Sequence, residues 1–89
     1  MALVDDPLYQ KRDLGPHEAY ILRCYYGSKP HKRARGHVKE GDLAIEVRLT
    51  SKAALLAEIA ASRARQERGE IGAITVHISI QPRYRSLYR

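Results

Sequence analysis

Two seven-residue stretches constrain most of what this chain can fold into: LAIEVRL at residues 43–49 and ITVHISI at residues 74–80. In the first, Leu43, Ile45, Val47 and Leu49 fall on one side and Ala44, Glu46 and Arg48 on the other. In the second, Ile74, Val76, Ile78 and Ile80 oppose Thr75, His77 and Ser79. Successive side chains of a strand point to opposite faces, so each stretch reads as a strand with one dry and one wet face. Such strands belong to an antiparallel or mixed sheet that is covered on one side.

A third strand is predicted over residues 19–26, AYILRCYY, which is rich in β-branched and aromatic residues and is ended by Gly27. Tyr20, Leu22, Cys24 and Tyr26 form the set better suited to a core, with Ala19, Ile21, Arg23 and Tyr25 opposite. Apolar groups on both sides mark a strand that is central in its sheet, or one with a face in a subunit contact.

Between the second and third strands, residues 51–69 are dense in good helix formers. Ser51 is placed to cap the start and Gly69 to end the helix, while Arg63, Arg65 and Arg68 complement the dipole at its C-terminus. Leu55, Leu56, Ile59, Ala60 and Arg63 fall on one side as a narrow apolar stripe, enough to cover one sheet face. The expectation is an α+β fold: a small two-layer sandwich in β-β-α-β order, its three-stranded sheet covered on one face by a single helix, with a long basic loop between the first two strands. If the strands that flank the helix are parallel and share a sheet, their connection crosses right-handed.

Eighty-nine residues supply one core, burying roughly 60–65% of the unfolded surface. The expected organisation is an irregular N-terminal arm over residues 1–18, where Pro7 and Gly15-Pro16 oppose regular structure, one α+β domain over residues 19–81, and a tail over residues 82–89. A single helix is thin cover for three strands, so either the arm or a homodimer is expected to close the remaining apolar surface. Cys24 stands alone, which excludes an internal disulfide and a multi-cysteine metal site and fits small buried filler. No apolar run reaches the roughly 20 residues of a transmembrane helix, and the acids of MALVDDPLYQ do not suit a signal peptide. A cytoplasmic chain with no membrane partner is expected.

The net charge of +6 is uneven: −2 over residues 1–18, +4 over 19–42, +1 over 43–70 and +3 over 71–89. Residues 28–39, SKPHKRARGHVK, hold Lys29, Lys32, Arg33, Arg35 and Lys39. They fall in a connection running from residue 27 to 42, longer than the roughly 12 residues beyond which loops are usually functional or disordered. Clustered cations release condensed counterions from a polyanion, so this loop is the expected phosphate contact of a nucleic-acid-binding protein, DNA or RNA undecided. The tail PRYRSLYR adds Arg83, Tyr84 and Arg85, cations interleaved with a ring on which an unpaired base can stack. Arg48, His77 and an aromatic group of the first strand extend the same idea onto the outer sheet face.

The competing reading is a solvated basic loop on a protein-interaction module or small subunit, with Tyr and Arg engaging an acidic protein partner. An enzyme is not expected. His31, His37, His77, Arg33, Arg35 and Glu46 are the only material for a metal-independent nuclease, and catalysis needs rigid support that a loop does not supply. No nucleophile motif or phosphate-binding glycine spacing occurs, no four-ligand metal site can be assembled, and no cofactor is implied. A hydrogen bond between His77 and Glu46 across the sheet is the expected role of that histidine.

Overall fold

The computed structural model describes residues 3–28 and 39–81. After a short 3-10 turn at Leu3–Asp5, three strands and one helix follow: β1 (Glu18–Tyr26), β2 (Leu43–Leu49), α1 (Lys52–Glu67) and β3 (Ile71–Ile80). The element order is the expected β-β-α-β. The strand order is β2-β1-β3, and β1 pairs antiparallel with both neighbours. The double-sided apolar strand is thus the central one, and β2 and β3 run parallel to each other with β1 between. Their connection through α1 meets the condition under which a crossover is right-handed.

The core lies between β1 and α1. Tyr20, Leu22 and Cys24 of the strand and Leu55 and Ile59 of the helix are almost wholly buried, with Ile71 beside them. Each such Leu or Ile contributes about 1.5–3 kcal/mol by leaving water, more than any single cap or surface ion pair here. The helix begins as expected: the Ser51 hydroxyl accepts from Ala54 N at 3.1 Å. It stops where Gly69 adopts φ +81°, a left-handed turn that glycine takes without Cβ strain.

The buried stripe of α1 is Leu55, Ile59 and Ser62, not the Leu55, Leu56, Ile59, Ala60 and Arg63 stripe expected. Ala60 is exposed, and Leu56 and Arg63 are half-buried. Hydrophobicity alone pulled the expected stripe toward Ala60. Ser62 can go inside because the Cys24 thiol donates to its hydroxyl at 3.3 Å, so the one polar side chain buried among the described residues has a partner. Cys24 is fully buried filler, as its apolar context suggested.

Both edge strands carry one extra residue at the same level of β1. Cys24 faces Ile45 but Tyr25 faces Leu43, which bulges Ala44 out of β2. On the other side Cys24 faces Ile74 but Tyr26 faces Ile71, leaving Gly72 and Ala73 opposite Tyr25. A one-residue slip exchanges faces. Leu43 therefore joins Tyr25 on the outer face, half-exposed, instead of lining the core with Ile45 and Leu49 as its alternation implied. Ile71, which the sequence reading left out of the strand, enters the core.

The arm supplies the second cover. Leu8, Tyr9 and Leu14 pack against the core cluster, and the Tyr20 hydroxyl donates to Arg12 O at 3.0 Å. Arg63 fastens the arm to the helix through a two-pronged contact with Asp6, Nε to Oδ2 at 2.9 Å and Nη2 to Oδ1 at 2.7 Å, while Leu8 N donates to Asp6 Oδ1. These bonds favour the ionised carboxylate, so Asp6 titrates below its ordinary 3.8, chiefly through Arg63. Glu18 is also lowered, first by the Gly15 amide and then by Arg12, and Asp13 is lowered by Lys52.

A folded-state value below the unfolded one gives stability that is present above the unfolded pKa and lost as pH falls through the folded one. Acid unfolding is therefore expected to begin below about pH 4 to 5 and to involve release of the arm. Replacing Asp6 with Asn removes the charged pair and costs about 1–2 kcal/mol at neutral pH, discounted for the partly exposed Arg63. It should also flatten the stability curve between pH 5 and 2, as followed by urea unfolding across pH; an unchanged curve would remove the clasp from this account.

Candidate nucleic-acid interface

The two basic segments leave the sheet at opposite ends. Residues 29–38 depart just after Tyr26, whereas residues 82–89 follow Ile80 and Gln81, and Ile80 pairs with Glu18 at the start of β1. Nine extended residues separate these points by about 26 Å at roughly 3.3 Å per residue. The loop and the tail are thus rooted far apart, with the outer sheet face spanning the gap.

Of the expected phosphate ligands only Lys39 falls within the described residues; Lys29, Lys32, Arg33, Arg35, Arg83, Tyr84 and Arg85 lie outside them, as do His31 and His37. Lys39 is exposed where the loop returns to β2. Its amide donates to Asp42 Oδ2 at 3.0 Å, and its carbonyl accepts from Asp42 N at 3.0 Å. Gly41, at φ +94°, completes this turn and donates to Tyr26 O at 2.9 Å, while Tyr26 N donates to Asp42 O at 2.8 Å. The stem of the loop is consequently tied to the end of β1. Glu40 and Asp42 sit beside Lys39, so the stem is not itself a positive site.

The outer face is read off the register. Ile21 lies between Arg48 of β2 and His77 of β3, and Arg23 lies between Glu46 and Thr75. Arg23 Nε donates to Glu46 Oε1 at 3.0 Å, a bond that raises the arginine pKa. The expected His77–Glu46 hydrogen bond is absent because β1 intervenes between their strands. Arg48 and His77 are exposed as expected, and Arg48 enters no ion pair among the described residues. Ile21 is only 7% exposed and Ala19 is fully buried, although both lie on the face opposite the one packed against α1.

The partition of charge is sharper than the sequence blocks suggested. All ten Asp and Glu residues lie in the described part, together with nine of the sixteen Lys and Arg, giving that part a net charge of −1. Six of those nine cations are in ion pairs: Arg12 with Glu18, Arg23 with Glu46, Lys52 with Asp13, Arg63 with Asp6, Arg65 with Glu58 and Arg68 with Glu70. The entire excess of positive charge therefore resides in residues 29–38 and 82–89. Arg12 is a cation that sequence reading missed: its contact with Glu18 sets it at the end of the sheet where the tail begins. No signal could have found it in an arm whose charge is net negative.

One small pocket of about 270 Å³ lies where β1 ends and β3 begins, lined by Tyr26, Ala44, Ile45, Arg65, Glu70 and Ile71. It falls just below the range of roughly 300–1,000 Å³ usual for small-molecule sites. Arg65 Nη1 is buried there without a hydrogen bond among the described residues, 3.7 Å from the Glu58 carboxylate. No group of three or more His, Cys, Asp or Glu side chains among the described residues could hold a metal ion, and none of the described helices is long and apolar enough to cross a membrane. Compared with protein-family models, with curated proteins and with solved structures, the chain matches none.

Proposed function

We propose that this chain is a small nucleic-acid-binding protein that contacts phosphates through Lys29, Lys32, Arg33, Arg35 and Lys39 of the loop, with Arg83, Tyr84 and Arg85 of the tail. The observation that carries this reading is the charge partition. A folded body at −1, with most of its cations already engaged, bears two segments that hold seven cations and no acid. Counterion release rewards such concentration, and ion pairing within the body would have cancelled it. The roots of the two segments, about 26 Å apart across the sheet, suit an elongated polyanion better than a single phosphate. The buried free thiol of Cys24 suits a reducing compartment such as the cytoplasm.

The chain carries no catalytic assignment in this proposal. Glu46 is engaged by Arg23, and β1 separates it from His77, so these two do not act as an acid–base pair. The second reading is a protein-interaction module or small subunit that offers the same cations to an acidic protein. It is favoured by the exposure of Leu43 (50%) and Ile80 (75%). Binding of labelled single-stranded RNA and duplex DNA across a salt series tests the first reading, with an acidic polypeptide as comparison. A log–log salt slope steeper with nucleic acid than with the polypeptide supports it, and equal weak binding to all three turns the assignment to the second.

A further inference from the structure

β3 is an edge strand with unusual composition for that position. Among the described residues it has β1 on one side and no strand on the other. Natural edges are guarded against pairing by short length, charged side chains, proline or bulges. β2, the opposite edge, has such guards: the charged Glu46 and Arg48 and the Ala44 bulge. β3 is ten residues long and contains no Lys, Arg, Asp, Glu or Pro. Its bulge sits at Gly72 and Ala73, which leaves residues 74–80 in regular register. Five of those seven are β-branched: Ile74, Thr75, Val76, Ile78 and Ile80.

Its apolar residues are also incompletely covered. On the helix side Ile74, Val76 and Ile78 are half-buried, while their β1 partners Cys24, Leu22 and Tyr20 are sealed. Ile80, at the end, is 75% exposed. A partner strand laid along this edge would pair the backbone groups that no described strand takes up and bring apolar side chains against these.

We infer that β3 pairs with β3 of a second copy, antiparallel across a two-fold axis, joining two three-stranded sheets into one of six strands. The charge pattern selects this occupant. An acidic or basic partner would be recognised by opposite charge, which β3 lacks. Apart from His77, β3 has no titratable side chain, so it meets its own copy across a two-fold with no Asp, Glu, Lys or Arg facing its like. The inference is independent of nucleic-acid binding, since its readout is mass. If both hold, the two outer faces become continuous and the dimer carries two copies of each basic segment.

The test is light scattering after size exclusion on the full chain, with Thr75→Lys and Ile80→Lys as edge variants and Ala57→Lys, on the exposed side of α1, as control. The native chain and the control are expected at twice 10.1 kDa and both edge variants at 10.1 kDa, with circular dichroism unchanged. Ile80→Lys, at a largely exposed position, keeps the test decisive if Thr75→Lys fails to fold. Hydrogen exchange should show β3 amides protected in the dimer and faster in Ile80→Lys. A native chain that stays monomeric up to high micromolar concentration, or edge variants that remain dimeric, would overturn the inference.

Discussion

Replacing Lys32, Arg33 and Arg35 together with alanine is expected to weaken nucleic-acid binding on the order of 10- to 100-fold and to reduce the log–log salt slope by about two to three. Both numbers follow from one cause. Each neutralised phosphate releases close to one counterion, so removing three contacts removes three units of salt dependence as well as affinity. The folded body should not register the change. It is at −1 without the loop and carries its own ion pairs, so thermal stability is expected to stay within about 0.5 kcal/mol of native. Fluorescence anisotropy across a salt series reads affinity and slope together. Native affinity with a native slope in the triple variant would take the loop out of the interface and leave the tail and Arg48 as candidates.

The largest effect on stability is expected at a position that bears no side chain. Gly27 follows β1, is buried, and donates its amide to Glu70 O at 3.0 Å. A Cβ built there would lie 2.6 Å from Gly69 O and 3.1 Å from the carbonyl carbon of Ile71. Both neighbours are backbone and cannot rotate away. Gly69 is itself fixed at φ +81°, with its amide bonded to Gln66 O, so relief would require moving the end of α1 and the start of β3. Gly27→Ala should therefore cost about 2–3 kcal/mol, or roughly 10–20 °C in Tm for a chain of this size. Gly72→Ala is the internal control. Its Cβ would meet Gly27 Cα and Tyr26 O at 3.5 Å, ordinary contact, so it should be neutral or raise stability by a few tenths of a kcal/mol. Equal losses in the two variants would mean that glycine is needed here for another reason.

Strand and helix existence was legible because periodicity reports burial directly. The two apolar sides of β1 left a central place or a subunit contact open, and the strand order makes it central, whereas the ends of α1 followed from Ser51 and Gly69. The errors share a physical cause: a bulge adds one residue without changing the local sequence pattern. LAIEVRL alternates perfectly, yet the slip at Ala44 sends Leu43 to the outer face. The alternation of ITVHISI starts at Ile74, although the strand extends back through Gly72 and Ala73 to place Ile71 in the core. The arm was harder still. Leu8, Tyr9 and Leu14 have neither a helical nor a strand period, and what docks them is a long-range pair, Asp6 with Arg63, that no local pattern announces. Ser62 went unnoticed for the same reason, since its burial depends on a thiol thirty-eight residues away.

For the candidate site, composition was the informative signal and geometry the missing one. The basic stretch could be read at once from its Lys and Arg, but its separation from the tail by the length of β1 depends on β3 returning antiparallel. Nor could the sequence show that six of the ten acids would be engaged in ion pairs, because four of those pairs join different parts of the chain or different elements: Arg12–Glu18, Arg23–Glu46, Lys52–Asp13 and Arg63–Asp6.

NMR can read residue by residue whether residues 28–39 and 82–89 form the nucleic-acid interface while the rest of the folded body stays out of it. Labelled protein would be titrated with short single-stranded RNA, with duplex DNA and with heparin, each at two salt concentrations. Shifts are expected to concentrate in residues 28–39 and 82–89, to be larger with one nucleic acid than with heparin and to persist at the higher salt. Equal, weak shifts with all three polyanions that vanish at the higher salt would contradict this expectation and make the basic stretch a solvated loop.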